Sequence, residues 1–285
     1  MKCYLAGLAG RHYVVDAVKA YLVSTNTLWG LCHHKPEDEG RKYFDQPGLY
    51  ILESVLSVEK WMFKFIDKKS WNFMLDSGAF TFMAGKKNVK IEAINWNDYV
   101  DRYAEFILEH GIELFFELDI DVVVGLQQVE QLRHRLEQRT GRQAIPVWHK
   151  SRGLPYWKSL VKDYRYVAIG GIVVGEIKRN EFRFFNPMCD IAHDQQTQVH
   201  GLGFSPRGLK NYRFDSVDST NWTMGNRSGF VTQFTGTGMS KTPVPTGHKL
   251  KAREAAMFNF REWVKYQRYL LHAGWNMNTS QTGVK

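Results

Sequence analysis

Three stretches place aspartate where an apolar run stops. Asp76 closes FMLD before Ser77-Gly78, Asp119 closes LFFELD, and Asp215 and Asp218 share the segment YRFDSVDSTN. Carboxylates gathered in one pocket can carry protons or stabilise a carbon that becomes positive during bond exchange. Acids at the ends of three separate apolar runs therefore point to one site, provided the fold brings those ends together.

The elements needed to do so are short and alternate in type. Apolar runs read as strands at 2–9, 48–52, 73–75, 113–118, 144–148, 166–169, 198–202 and 213–217. Between them, helical spacing is clear at 96–110, where Tyr99, Tyr103, Phe106, Ile107 and His110 recur on one face and Gly111 ends the run. Further helices are expected at 13–23, 127–139 up to Gly141, 154–161 with Pro155 in its first turn, and within 176–193. Short, continuously apolar strands alternating with helices predict a parallel sheet covered by helices, and eight of them predict a TIM-type (β/α)8 barrel. In that fold reactive side chains come from the C-terminal strand ends. Asp76, Asp119, His149, Gly170-Gly171, 201–203 and Asp215 are all read there.

The expected organisation is a catalytic barrel over 1–222, a flexible Gly/Thr/Ser-rich loop over 223–247, a helix over 248–275 packed on the barrel, and a disordered tail over 276–285. With 38 Lys+Arg against 29 Asp+Glu the formal charge is +9, which favours a polyanionic partner. Three cysteines, Cys3, Cys32 and Cys189, are too few and too scattered for a disulfide framework or a paired-cysteine zinc site. No apolar window reaches membrane length, so a cytoplasmic protein without metal or organic cofactor is expected.

The strand-end motifs resemble those of the tRNA-guanine transglycosylases. FMLDSGAF is similar to that family's DSGGF-type motif, AIGGIVVGE to its GG-x-x-VGE motif, HGLGFS to its LMGVG-type strand end, and FDSVDST to its FDCV-x-PT segment, in the same order over about 73–221. The resemblance implies an enzyme that exchanges guanine in nucleic acid for a free 7-deazaguanine base. By that likeness Asp215 is the nucleophile, Asp76 the acid/base and Asp119 the acceptor for the Watson–Crick edge. Gly170 and Gly171 would meet the base carbonyl, and Phe80 and Leu202 would sandwich the ring. His149 stands where the family has glutamine, and it reads either as a base contact or as a polar core residue. Asp218 reads as a helix N-cap.

The family's tRNA enzymes carry a cysteine-rich zinc subdomain that this sequence lacks, so the resemblance is closer to the phage and bacterial DNA 7-deazaguanine transglycosylases. DNA is the expected polymer. The same exchange on tRNA is the alternative, and a barrel that only binds nucleic acid is a second. Lys86, Lys87, Arg207, Lys210 and Arg213 are the expected backbone contacts.

Overall fold

The computed structural model describes residues 1–15, 49–66, 71–79, 94–224, 230–243 and 251–275. Phe80, Lys86, Lys87 and the tail after 275 lie outside the described residues, as does most of the expected helix at 13–23.

Eight strands form one parallel sheet: β1 Lys2–Ala6, β2 Ile51–Ser54, β3 Phe73–Asp76, β4 Leu114–Phe115, β5 Val147–Trp148, β6 Tyr166–Ile169, β7 Gln198–Gly201 and β8 Ser216–Ser219. The spatial order is β4-β3-β2-β1-β8-β7-β6-β5, with β8 returning beside β1. The sheet curls, and the edges at β4 and β5 meet in a parallel bridge between Phe116 and Ile145. There the Ile145 N–H donates to the Phe115 carbonyl at 2.8 Å and the Glu117 N–H to the Ile145 carbonyl at 3.0 Å. This is a TIM-like α/β fold.

Helices cover the convex face. They are α1 Trp96–His110, the short α2 Asp121–Val124, α3 Leu126–Thr140, α4 Gly153–Asp163 and α5 Phe185–His193. Local chemistry sets their ends. The Asn95 carboxamide oxygen caps the N–H groups of Asn97 and Asp98, and Gly111 closes α1 in the left-handed conformation. Because strand side chains alternate, the sheet has two apolar faces. Cys3, Leu5, Leu75, Phe115, Ile169, Val199 and Val217 pack outward against helices. Tyr4, Leu52, Met74, Phe116, Val147, Tyr166 and Ala168 fill the concave side.

Two findings depart from the sequence reading. The last strand begins at Ser216 rather than Arg213, so Asp215 precedes it. In the segment read as a loop, 223–247, an antiparallel hairpin forms from β9 Phe230–Phe234 and β10 Met239–Pro243. The hairpin lies on α6, Ala252–Ala273, which also packs along β1. Buried polar side chains fix that docking. Gln267 donates to the carbonyls of Cys3 and Tyr50 at 2.6 and 3.0 Å, and Asn259 accepts from the Thr232 N–H at 2.8 Å. Glu262, ion-paired with Lys265 at 2.6 Å, accepts from the Phe234 N–H. Among the described residues no helix is long and apolar enough to cross a membrane.

Candidate active site

The concave face at the C-terminal strand ends is built by residues two positions beyond the core layer. Asp76 follows Met74, His149 follows Val147, Gly170 follows Ala168, Leu202 follows His200, and Asp218 follows Ser216. A period of two puts each of them on the concave side.

Asp76 is half-buried at the end of β3. Its Oδ1 accepts from the Gly78 N–H at 2.8 Å. Tyr103 of α1 braces the strand by donating to the Leu75 carbonyl at 3.0 Å, and Tyr99 donates to the Ser77 carbonyl at 2.5 Å. Burial raises the Asp76 pKa to about 6. The Gly78 N–H works against the rise, while the charges of Asp119, Asp218 and Glu53 add to it. Asp119 and Asp218 are thus electrostatic neighbours of Asp76, so the fold gathers acids from three strand ends.

Asp215 is not among them. Standing three residues before Asp218, it has the opposite parity and faces the helices at the start of β8. Its Oδ2 accepts from the Val199 N–H at 2.8 Å and pairs with His193 Nε2 at 2.9 Å. His193 in turn stacks on Trp275. Asp215 therefore fastens the N-terminal end of the sheet to α5. Asp218 is the acid that β8 presents to the mouth, and the N-cap reading does not hold for it.

Asp218 is held through one oxygen. Its Oδ1 accepts from the Gly203 N–H at 2.6 Å and lies 3.3 Å from His200 Nε2. Below it the chain continues, His200 Nδ1 to Ser216 Oγ at 2.5 Å and Ser216 Oγ to Tyr166 OH at 2.5 Å. A carboxylate only accepts, so His200 Nε2–H donates to Asp218, and Nδ1 is left to bond to the Ser216 hydroxyl, which also bonds to Tyr166. Gly203 is required at its place: its φ is +65°, and a Cβ there would lie 2.2 Å from Val173 Cγ2.

On the far side of the mouth Asp119 is also held in place. Both of its oxygens lie 2.9 Å from His149 Nε2, and His149 Nδ1 lies 2.8 Å from Glu176 Oε2. Burial opposes a charge on this ring, yet the hydrogen bond and charge of Asp119 and the bond to Glu176 outweigh it and raise the His149 pKa to about 9. The ring is an imidazolium at neutral pH and donates from both nitrogens. It orients Asp119, and neither nitrogen is left over for a base contact. Arg152 is wedged behind, 3.5 Å from Asp119, 2.9 Å from Asp121 and 3.4 Å from the buried Glu117. Asp119, Asp121 and His149 each offer a ligand atom within 4.8 Å of the others, but Arg152 already balances their charge.

Gly170 and Gly171 line the gap between β6 and this group. A Cβ on Gly170 would come within 2.9 Å of His149 Nε2, and one on Gly171, whose φ is +75°, within 2.4 Å of Glu176 Oε2. Both positions exclude any side chain. Leu202 is half-buried against the concave layer.

Of the expected backbone contacts, Arg207 and Lys210 are exposed after β7. Arg213 is instead tied to α5 through Asp190 at 2.5 Å, away from the mouth. Trp148, Trp157 and Trp222, which stand near strand ends in the sequence, are buried in the outer core, and Trp222 Nε1 donates to the Ala6 carbonyl at 2.7 Å.

His200, Glu176 and Arg152 escaped the sequence reading as functional residues. His200 and Glu176 do fall inside the motifs HGLGFS and GGIVVGE, and that was the available signal. Compared with models of known families and with curated proteins, the chain matches none.

Proposed function

We propose that the chain is a base-exchange transglycosylase that replaces guanine in DNA with a 7-deazaguanine derivative such as 7-cyano-7-deazaguanine, with Asp218 as nucleophile and Asp76 as acid/base. The curled sheet is read here as a closed (β/α)8 barrel with its site at the C-terminal mouth. The observation that carries the reading is that Asp76, whose pKa burial raises to about 6, stands at a strand end where it feels the charges of Asp119 and Asp218.

The chemistry follows from the differing environments of the acids. Asp218 Oδ1 is held by Gly203 and His200, and among the described residues Oδ2 takes no hydrogen bond, so its lone pairs are available. Attack of Oδ2 on C1′ forms the Asp218–C1′ ester as the C1′–N9 bond breaks and the electron pair leaves with the purine. Protonated Asp76 gives the departing purine its proton. The incoming 7-deazaguanine then loses its N9 proton to the Asp76 carboxylate, its nitrogen bonds to C1′, and Asp218 is released. Two displacements at one carbon retain configuration. A carboxyl group titrating near 6 populates both forms at neutral pH, as both half-reactions require.

Asp119, oriented by His149 and Arg152, suits the N1–H and exocyclic N–H2 donors of a guanine-type edge, because an ionised carboxylate only accepts. The target base must leave the stack to reach this floor. DNA is preferred over tRNA because these 285 residues hold three scattered cysteines and no paired-cysteine zinc site.

The test is incorporation of labelled guanine and labelled 7-cyano-7-deazaguanine into DNA and into tRNA, side by side. Label in DNA that is lost with Asp218→Asn is the expected result. Label only in tRNA would change the polymer and keep the chemistry. Absence of label and of any covalent adduct in both would overturn the enzyme reading in favour of a binding-only barrel.

A further inference from the structure

Among the described residues the most exposed large apolar side chains are Val122, Val173 and Val174, at 81%, 70% and 63%. All three stand just beyond strand ends, Val122 after β4 and the other two after β6, so they lie at the mouth end of the sheet. Scattered apolar residues on a surface are ordinary. The pair Val173-Val174 is not, because it occupies the two central positions of a turn closed by the Gly175 N–H on the Ile172 carbonyl at 3.2 Å. Turn centres favour Gly, Pro, Asn, Asp and Ser, which suit the backbone geometry or bond to it locally, and valine does neither. The two side chains therefore serve neither the turn nor the core.

The turn is held firmly and lies beside the proposed nucleophile. The Glu176 and Ile177 N–H groups both donate to the Gly171 carbonyl, at 2.9 and 3.2 Å. Glu176 ties the turn to the residues after β5, its Oε1 accepting from the Ser151 N–H at 2.8 Å and its Oε2 from His149 Nδ1 at 2.8 Å. Val173 covers Gly203 so closely that a Cβ there would lie 2.2 Å from Val173 Cγ2, and the Gly203 N–H is the donor that holds Asp218. Two solvent-exposed valines thus stand next to the support of Asp218.

Charge names the occupant. Lys178 and Arg179 follow the turn and Arg207 lies in the loop after β7, all three exposed. An apolar tip among cations matches nucleic acid, whose phosphates meet the cations while apolar groups enter between bases. A base that leaves the stack forfeits its stacking and leaves a gap, and side chains that fill the gap offset part of that loss.

We propose that Val173 and Val174 form a wedge that enters the DNA stack where the target guanine leaves it, while Lys178, Arg179 and Arg207 hold the flanking phosphates. The proposal rests on the nucleic-acid reading above and adds to it the group that takes the place of the guanine.

The test uses the full chain, a DNA duplex whose one guanine is paired with pyrrolocytosine, which brightens when its partner leaves, and the guanine strand without its complement. Val173→Ser with Val174→Ser alters exposed groups only, so its melting temperature should equal that of the wild type. On the duplex the wild type should raise the fluorescence and the serine variant should not, and exchange of labelled guanine should fall roughly tenfold or more. On the single strand, where no duplex has to open, the two proteins should differ by less than about threefold. Val173→Ile with Val174→Ile, still apolar, should recover both signals. Arg179→Gln with Arg207→Gln should lower the slope of log affinity against log salt by about 2, and the serine variant should leave it unchanged.

If the serine variant opens the duplex as the wild type does, or loses the same factor in exchange on both substrates, the wedge is overturned and the enzyme reading stands. A serine variant that changes only the sedimentation of the free chain would also overturn it, making the tip a contact between copies. If the wild type opens the duplex but transfers label to neither DNA nor tRNA, the wedge stands and the enzyme reading falls. If the wild type neither binds nor opens the duplex, the wedge falls, and labelling of tRNA decides the enzyme reading separately.

Discussion

Strand β8 and the residue before it carry two aspartates three residues apart, each bonded to a histidine. Asp215 meets His193 at 2.9 Å at the strand's start, and Asp218 meets His200 at 3.3 Å near its end. The pair at the start faces the helices, accepts a backbone N–H of β7 and is backed by Lys2 and the N-terminus, both of which feel its charge. The pair near the end faces the concave side and shares an electrostatic field with Asp76. Identical side-chain chemistry thus serves as a fastening in one place and as a candidate nucleophile with its support in the other. What separates them is strand parity and height along the sheet.

The sharpest way to break this comparison is to exchange the two acids' fates. Asp218→Asn should reduce base exchange by on the order of 10³-fold or more and abolish the covalent adduct, whereas Asp215→Asn should keep exchange within about threefold of wild type once folded. Adduct trapping on denaturing gels reads both, and an adduct that survives in Asp218→Asn and disappears in Asp215→Asn would reverse the assignment.

Asp76→Asn comes next. Loss of the acid/base group should lower exchange by about 10²–10⁴-fold. The same variant should be more stable at neutral pH. The folded pKa of about 6 lies above the ordinary carboxylate value, so the native state binds the extra proton, and the wild type loses stability as pH rises from about 4 to 6. Thermal melts at pH 4 and pH 7 should show Asp76→Asn gaining roughly 1–3 kcal/mol over wild type at the higher pH only.

His200 touches the nucleophile rather than substrate, and it sharpens the comparison by separating position from chemistry. His200→Ala should cost roughly tenfold to a hundredfold in the rate of adduct formation with KM little changed, and His200→Gln, which still offers a donor, should recover part of that rate. Equal rates for wild type and His200→Ala would mean that His200 does not position the nucleophile.

The fastening pair should show itself in stability alone. Asp215→Ala leaves His193 and the Val199 N–H unpaired and should cost about 1–3 kcal/mol by chemical denaturation. At the mouth, His149 provides the pH counterpart. Its folded pKa of about 9 lies above the ordinary histidine value near 6.5, so its stabilising contribution is complete below about pH 6.5 and disappears as pH rises through about 9. The stability gap between wild type and His149→Gln should shrink across that window, and a gap independent of pH would mean that the ring is not charged in the fold.

Much of this architecture is written in local patterns. Apolar runs that stop at Asp76 and Asp119 and alternate with helices such as 96–110 announce a parallel α/β sheet, because continuous burial and helical periodicity leave direct marks in composition. The run FDSVDST leaves no such mark. Phe214 and Val217 are both buried and three apart, so alternation within the segment does not say which aspartate faces inward. That is settled by pairing, Ser216 opposite Lys2 and His200, and Asp218 opposite Tyr4. Register between strands distant in sequence is a tertiary quantity.

The sequence by itself determined the class of fold, the acids at the ends of β3 and β4 and the long last helix, because each rests on interactions among near neighbours in the chain. The tertiary structure alone decided that Asp218 and not Asp215 reaches the mouth and that His149 is consumed between Asp119 and Glu176. It also decided that 230–243 forms a hairpin docked on the last helix. Each of those depends on groups tens to hundreds of residues apart, and only packing brings them within hydrogen-bonding distance.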